Sequence, residues 1–206
     1  MLDSKGFDIW SEDYEKYVKR NSKGYPFEGY YDVLNYMYNL IKRKNGSRIL
    51  DIGIGTGFLS NQLYKIGAEI YGIDFSAKMI GIAQEKMPNA KLYLCDFNNG
   101  LPIELSNVKF DYIISSYAIH HLDHYKKILF IKQLYGMLNN NGSIIIGDVA
   151  FQNNEELQKC RISAGNSWDN DESYIVVNII SSSLNEVELK SNYKQISVCS
   201  GVLEIY

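Results

Sequence analysis

The sequence has few cysteines, no long apolar run and no strong net charge. Its 206 residues include three cysteines, Cys95, Cys160 and Cys199, which are odd in number and widely spaced. They therefore indicate neither a disulfide framework nor a structural zinc site, and we expect small buried apolar residues. No run approaches the roughly 18 apolar residues of a membrane span, and the polar N-terminus does not resemble a signal peptide. These absences predict a cytoplasmic protein that does not contact a membrane.

The charge balance argues against a nucleic-acid partner. The formal charge is −3, from 21 basic and 24 acidic residues. Nucleic-acid binding usually leaves a basic patch. The basic residues between 16 and 23 are interleaved with acids, which is typical of a solvated helix face. The length and a hydrophobic fraction of 46% predict one α/β domain over residues 1–206, large enough to bury a full core.

The stretch 48–63, RILDIGIGTGFLSNQL, organises the prediction. Arg48–Ile52 is a short apolar run typical of a strand buried in a parallel sheet. Gly53, Gly55 and Gly57 follow on alternate positions, and then apolar residues recur at helical spacing. Such a loop lets backbone N–H groups approach a ligand closely, and it points the helix N-terminus at the same place. The unit predicts a cofactor cradle.

The loop departs from the dinucleotide-binding pattern at two positions. That pattern, G-x-G-x-x-G, requires glycine where Phe58 stands. In addition, the carboxylate of Asp51 at the end of the strand would repel a pyrophosphate, and it suits a ligand with an ammonium or sulfonium group. The loop therefore predicts a nucleoside site for a cationic ligand.

Asp51 to Gly57 has the form acid-x-Gly-x-Gly-x-Gly, and in this the chain resembles the class I S-adenosylmethionine-dependent methyltransferases. The segments FDIWSEDYEKYV, SSYAIHHL and IKQLYGML are similar to those of a group of small uncharacterised bacterial methyltransferases. The resemblance implies an α/β, doubly wound, Rossmann-like sheet of seven strands, mostly parallel with one antiparallel strand near the C-terminal edge. It also implies S-adenosyl-L-methionine as cofactor and S-adenosylhomocysteine as product.

These expectations divide the chain into three parts. Residues 1–46 form an N-terminal helical cover, residues 47–150 the cofactor-binding core, and residues 151–206 a substrate-side segment with a closing hairpin. Within the cover, Trp10, Tyr14 and Tyr31 are candidate pocket residues. The alternative is that these aromatic side chains belong to the core.

A second acid follows the glycine loop at the spacing of a ribose-binding residue. Asp74 ends the predicted strand Glu69–Asp74, about twenty residues after the loop, where a carboxylate can accept hydrogen bonds from both ribose hydroxyls. It can also cap the helix that starts at Ser76. Phe75 is placed to pack against the adenine.

The third predicted strand, Lys91–Cys95, is followed by Asp96. The resemblance implies that Asp96 accepts a hydrogen bond from the adenine amino group, and an Asx turn is the rival role. Phe97 and Ser115 complete the predicted cofactor-binding set.

The candidate acceptor residues follow the predicted strand Phe110–Ser115. Ligands of doubly wound sheets bind at the carboxyl ends of strands beside the switch point, which places Ser116 and Tyr117 where a methyl acceptor should lie. His120 is the candidate base near neutral pH, and His121 is a further pocket candidate. Either histidine can instead be a packed core residue.

The rest of the chain yields one more pocket candidate, Asp148, near the end of a predicted strand 143–149. A helix over 125–138 and a turn over 139–142 precede it. The pattern of residues 173–184 fits either a helix or a strand. Residues 193–198 and 202–206 predict the closing hairpin.

Proline is also scarce, and this narrows the acceptor. The three prolines, Pro26, Pro88 and Pro102, leave no Asn/Asp-Pro-Pro-aromatic run after the fourth strand and no Pro-Cys pair. Methylation of nucleic-acid bases or of glutamine side chains is therefore disfavoured. The sequence predicts in-line methyl transfer to a small-molecule acceptor, which requires alignment and exclusion of water but no metal.

Two other functions remain open at this point. One is a sensor or scaffold module that binds S-adenosylmethionine or S-adenosylhomocysteine without turnover. The other is a nicotinamide-dependent oxidoreductase, which Phe58 and Asp51 disfavour. The oligomeric state is not predicted.

Overall fold

Short apolar strands and the helices between them form one sheet covered on both faces. The computed structural model describes residues 14–42 and 46–206. The strands are β1 Arg48–Ile52, β2 Glu69–Asp74, β3 Lys91–Leu94, β4 Phe110–Ser116, β5 Leu138–Phe151, β6 Ile175–Val176, β7 Ser191–Gln195 and β8 Ser200–Ile205. The helices are α1 Tyr14–Asn21, α2 Tyr30–Ile41, α3 Phe58–Lys65, α4 Ala77–Lys86, α5 His124–Tyr135, α6 Asn154–Ala164 and α7 Val177–Asn185.

The strand order β3-β2-β1-β4-β5-β8-β7 gives the sheet a switch point between β1 and β4. β1 pairs in parallel with both β2 and β4, so the carboxyl ends of these strands lie side by side. β8 is antiparallel to β5 and to β7, and is the reversed strand that was expected near the C-terminal edge. The predicted fold class is confirmed, and the two-residue β6, which pairs with β5, is added to the seven predicted strands.

Successive residues of the central strands face opposite sides of the sheet. Ile49 packs with α2 and α3 on one face, whereas Leu50 belongs to the cluster on the other face. Gly147 of β5 allows α2 to lie directly on the sheet, because a Cβ at this position would collide with Met37 and Val33. This close approach brings the N-terminal end of α2 to the carboxyl edge of the strands.

The structure corrects several predicted boundaries. The predicted turn 139–142 lies inside β5 as an irregularity, because the ladder passes from the Phe110–Leu138 pair to the Tyr112–Ser143 pair. The preceding helix ends at Tyr135 instead of residue 138. The open segment 173–184 contains both candidates, the strand β6 and the start of the helix α7.

The N-terminal cover is described in part. Helix α2 ends at Ile41, and Trp10 and the side chain of Tyr14 lie outside the described residues. Cys160 and Cys199 are buried as expected, and Cys95 is half-buried. Across the described residues, the helices are too short or too polar to cross a bilayer.

Candidate active site

The glycine loop after β1 folds back onto the carboxyl end of β2. The N–H groups of Gly53 and Ile54 both donate to the carbonyl oxygen of Ile73 at 2.9 Å. The N–H of Gly55 donates to Asp74 Oδ2 at 2.8 Å. These N–H groups already donate to protein acceptors. The loop therefore provides open space for a ligand, whereas the sequence predicted N–H groups that approach the ligand.

The glycines of the loop serve different purposes. Gly53 has φ +71°, and a Cβ there would lie 2.5 Å from the Cβ of Ala118, so glycine is required for packing. Gly57 packs in the same way against Met87 and Ala83 of the α4 region, and it is not part of the cleft wall. Gly55 has φ +55°, and a Cβ there would meet no heavy atom of the described residues within 4 Å. Gly55 therefore borders open space.

A cleft lies over this loop at the carboxyl ends of β1, β2 and β4. It encloses about 690 Å³ not occupied by protein atoms, part of which is open to solvent. Its wall includes Tyr30, Leu34, Asp51, Gly53, Ile54, Gly55, Thr56, Phe58, Leu59, Asp74, Phe75, Met79, Phe97, Ser116, Tyr117, Ala118 and His121.

Asp51 is a buried carboxylate on the cleft wall. Its Oδ2 accepts a hydrogen bond of 2.6 Å from Ser60 Oγ, and its Oδ1 has no hydrogen-bond partner among the described residues. Burial raises the pKa of Asp51 to about 7; the Ser60 hydrogen bond opposes this shift and the charge of Asp74 adds to it. A positively charged group in the cleft would supply the partner that Oδ1 lacks, as the sequence predicted.

Asp74 holds the loop and also faces the cleft. Its Oδ2 accepts from Gly55 and its Oδ1 accepts from the N–H of Ser76 at 2.9 Å. Capping of α4 itself is done by Ser76 Oγ, which accepts from Met79. Asp74 lies on the cleft wall, where its carboxylate could accept from ribose hydroxyls.

The other predicted cofactor residues divide into two groups. Phe75 and Phe97 line the cleft. Asp96 is exposed, and it caps the turn Phe97–Asn99 by accepting from Asn98, which is the Asx arrangement. Ser115 donates to the carbonyl oxygen of Ile52 at 3.0 Å and is not part of the cleft wall. The cofactor roles of Asp96 and Ser115 stay predictions.

The acceptor side of the cleft is formed by the segment after β4. Ser116, Tyr117 and His121, three of the predicted pocket residues, lie on its wall. Tyr117 has φ +50°, an uncommon backbone conformation for a bulky residue, which often marks functional sites. Its ring lies 4.7 Å from that of Tyr30. Tyr30, one position before the predicted Tyr31, is therefore the tyrosine of α2 that reaches the cleft.

His120 does not line the cleft but is held directly behind it. Its Nδ1 lies 2.6 Å from Asp148 Oδ1, and its backbone N–H donates to Asp148 Oδ2 at 3.2 Å. Burial favours the neutral imidazole, but the charge and hydrogen bond of Asp148 outweigh burial and raise the pKa of His120. Asp148 is 0% exposed, contacts His120 and is not part of the cleft wall, so its pocket role stays a prediction.

Sequence reasoning missed Glu172, which joins the two histidines. Its Oε2 lies 3.1 Å from His121 Nδ1 and 3.6 Å from His120 Nε2. Burial raises the pKa of Glu172, but His121 and His120 outweigh it, so the net shift is downward. The carboxylate is brought here from the segment after α6. No pattern in that part of the sequence indicates the contact.

A buried lysine fixes Glu172 next to the histidines. Lys127 Nζ donates to the carbonyl oxygens of Leu122 and Ser173, and the N–H of Ser173 donates to the carbonyl oxygen of His120 at 2.9 Å. Burial lowers the pKa of Lys127 to about 8, although Asp148, Asp123 and Glu172 oppose this shift. The sequence did not predict this burial, because a lysine one helical turn from apolar residues does not by itself indicate a buried side chain.

An aromatic cluster of Tyr25, Trp168 and Tyr174 packs beside the histidines. Tyr25 stacks on Trp168 with ring centres 4.9 Å apart, and Tyr174 meets Trp168 edge-on at the same distance. The Tyr174 ring lies 6.3 Å from that of His120, and the aromatic cluster packs against a buried group that includes Val149 and Phe151. These aromatic residues were also missed, because they come from opposite ends of the chain.

The fold and the cleft together define a doubly wound α/β protein with a site for a positively charged nucleoside. The switch point places the cleft, and the glycine loop supplies the space. Asp51 supplies a buried negative charge without a hydrogen-bond partner on one oxygen. These features fit a sulfonium nucleoside with its ribose near Asp74.

Comparison with known proteins assigns the family. Residues 43–197 match the family model of the methyltransferase domain. A curated relative, an uncharacterized methyltransferase of Anoxybacillus flavithermus, is 34% identical over 151 residues, which cover 72% of this chain and 68% of the relative. The chain therefore belongs to the methyltransferase domain family, and it is an S-adenosylmethionine-dependent methyltransferase.

Solved structures confirm the fold at low sequence identity. A DhpI–SAM–HEP complex has a TM-score of 0.71 at 13% identity and covers 97% of this chain and 94% of that one. Magnesium protoporphyrin IX methyltransferase (ChlM) from Synechocystis PCC 6803 with bound SAH has a TM-score of 0.70 at 18% identity. The aligned parts cover 98% of this chain and 99% of ChlM.

We predict that Gly55→Ala weakens binding of S-adenosylmethionine. The added methyl group would enter the open space of the cleft. The matched control is Gly67→Ala, at a positive φ away from the cleft, where a Cβ also meets no described atom within 4 Å. The left-handed backbone should cost each variant about 1–2 kcal/mol of stability. Titration calorimetry should show lost affinity for Gly55→Ala alone, and equal affinity in both variants would contradict the cradle.

We also predict that S-adenosylmethionine affinity depends on the protonation of Asp51. The pKa of Asp51 is raised to about 7 without ligand. A cation binds the carboxylate form, so affinity should fall by up to about tenfold per pH unit below this value. Ser60→Ala removes a hydrogen bond that opposes the shift, so it should move the midpoint upward. Asp51→Asn should bind weakly and without this dependence; a parent-like pH profile for Asp51→Asn would contradict the assignment.

Proposed function

We propose that the protein transfers a methyl group from S-adenosylmethionine to a small-molecule acceptor that binds between the glycine cleft and the histidines. The observation that carries this proposal is the position of His121, which lies on the cleft wall with Tyr117 and whose Nδ1 is 3.1 Å from Glu172 Oε2. An acceptor in this position would lie next to both the cofactor cleft and groups able to take a proton.

The aromatic cluster of Tyr25, Trp168 and Tyr174 favours a small acceptor. These side chains pack against one another, and, like Tyr117, they are partly buried against the cluster of Val149, Phe151, Cys160 and Cys199. The Tyr174 ring also lies 6.3 Å from that of His120. We infer that this packing limits the space beside the histidines to a small acceptor, whereas a flat, open surface would suit a macromolecule. The formal charge of −3 also disfavours nucleic acid.

The cofactor supplies a methyl group on a positively charged sulfur, already activated for in-line displacement that yields S-adenosylhomocysteine. The residues of this chain then need to bind, align and exclude water. Asp74 would hold the ribose, with Phe75 beside the adenine. Asp51 would favour the cationic end.

The base predicted from the sequence, His120, stays a proposal. Asp148 fixes its ring, and the ring centres of His120 and His121 lie 4.3 Å apart. His121 is the member of this pair that lines the cleft. We assign activation of the acceptor to the pair, and we assign Asp148 a positioning role through His120.

The reaction is tested with fractionated cell extract as the source of acceptor. Purified protein and S-adenosylmethionine are incubated with the low-mass fraction and, separately, with the macromolecular fraction, and S-adenosylhomocysteine is measured by mass spectrometry. We expect product with the low-mass fraction. Product with the macromolecular fraction alone would overturn the small acceptor. Absence of product from both, with binding retained, would favour the non-catalytic sensor or scaffold.

We predict that His120→Ala lowers turnover by roughly 10²–10⁴-fold, the range for loss of a general acid or base. Affinity for S-adenosylmethionine should change little, because His120 is not on the cleft wall. The matched control is His124→Ala, an exposed histidine whose Nε2 lies 3.2 Å from Ser183 Oγ. Turnover of His120→Ala equal to that of the control would remove this role.

A further inference from the structure

Three potential metal ligands converge behind the acceptor side of the cleft. His120 and His121 lie on the turn Ile119–His121, and Glu172 comes from the segment after α6. The side chains are 14%, 15% and 10% exposed. One ligand atom from each of the three lies within 4.8 Å of the other two.

The separations of these atoms match those around a bound metal. Zinc binds imidazole nitrogen and carboxylate oxygen at about 2.0–2.2 Å, so tetrahedral ligands lie roughly 3.3–3.6 Å from one another. The observed distances from Glu172 Oε2 are 3.1 Å to His121 Nδ1 and 3.6 Å to His120 Nε2. The third pair, one nitrogen from each histidine, lies within 4.8 Å, so a ring movement on the order of 1 Å would bring it to this spacing.

Asp148 orients His120 as a metal ligand requires. Its Oδ1 lies 2.6 Å from His120 Nδ1, which places a proton there and leaves the Nε2 lone pair for the Glu172 side. Asp148 is itself fixed by the N–H of Val149 at 2.7 Å. A carboxylate that holds the far nitrogen of a histidine is the usual outer partner of a zinc-bound imidazole.

The contact between Glu172 and the histidines is not aligned as a hydrogen bond. Oε2 is buried and accepts no well-directed hydrogen bond among the described residues, although His121 Nδ1 is 3.1 Å away. A cation shared by these atoms would be bound by lone pairs that converge in the same way. Lys127 preorganises it, because its ammonium group joins the segments that follow His121 and Glu172.

We propose that His120, His121 and Glu172 bind one divalent first-row transition-metal ion, of which zinc is the probe. Two imidazoles and one carboxylate suit such ions, and three protein ligands leave a position open. Because His121 lines the cleft, the open position faces the acceptor. This site revises the sequence expectation that no metal is involved.

The site also defines the class of acceptor. With a metal bound, the imidazole lone pairs are used by the ion, so the metal would replace the histidine pair in activating the acceptor. It would bind an oxygen, nitrogen or sulfur atom of the acceptor and favour loss of its proton to solvent. This consequence rests on the proposed methyl transfer, whereas metal binding does not. The two are therefore tested by separate measurements.

The test is a calorimetric titration of zinc into chelator-treated, desalted protein. We expect one ion per chain. Asp148→Asn should weaken binding roughly 10- to 100-fold, as found for outer partners, and Glu172→Gln and His121→Asn should weaken it further. His124→Gln, which changes the third histidine of the chain, should bind zinc as the parent does. Circular dichroism and thermal melting verify that each variant is folded.

Cobalt provides a measurement that needs no variant. Co²⁺ added to the parent should give visible absorption bands typical of four- or five-coordinate nitrogen and oxygen ligation, and zinc should displace them. Absence of these bands, or zinc binding equal in Glu172→Gln and His124→Gln, would overturn the site. S-adenosylhomocysteine binding is titrated in parallel. If the parent binds S-adenosylhomocysteine but not zinc, the metal site alone is wrong. If the parent does not bind S-adenosylhomocysteine, the proposed function is contradicted.

Discussion

The closure of the glycine loop on the end of β2 is the interaction on which the rest of the site depends. Ile73 accepts from two loop N–H groups, and Asp74 ties Gly55 to the start of α4. Because these donors are used internally, the loop is held open as a rigid concave edge. The same closure brings the carboxylates of Asp51 and Asp74 to one wall, where burial makes the charge of Asp51 costly without a cation.

The acceptor side depends on long-range docking of the C-terminal segment. Lys127 and the Ser173–His120 backbone hydrogen bond fix the chain around residue 173 against the turn after β4. This docking places Glu172 between two histidines and packs the aromatic cluster beside them. The buried charge of Lys127 is compensated by the main-chain carbonyl oxygens of Leu122 and Ser173. These two oxygens come from irregular segments that meet at this point.

Much of the core was predictable because its signals are local. The apolar strands, the glycines at alternate positions and the acid at the end of β2 each reflect a constraint that acts over a few residues, and the structure places them as expected. Boundaries were less predictable where tertiary pairing overrides local preference. The predicted turn 139–142 is absorbed into β5, because β4 continues to pair on both sides of it.

The sequence by itself determined the order of strands and helices, the glycine loop and the negative character of the cofactor cleft, since these follow from side-chain periodicity, the lack of a Cβ and the position of a carboxylate. Tertiary structure alone decided that Tyr30 instead of Tyr31 reaches the cleft, that Asp148 supports His120, and that Glu172 joins the histidines. These contacts join residues distant along the chain or depend on the phase of a helix against the sheet. No local pattern encodes either relation.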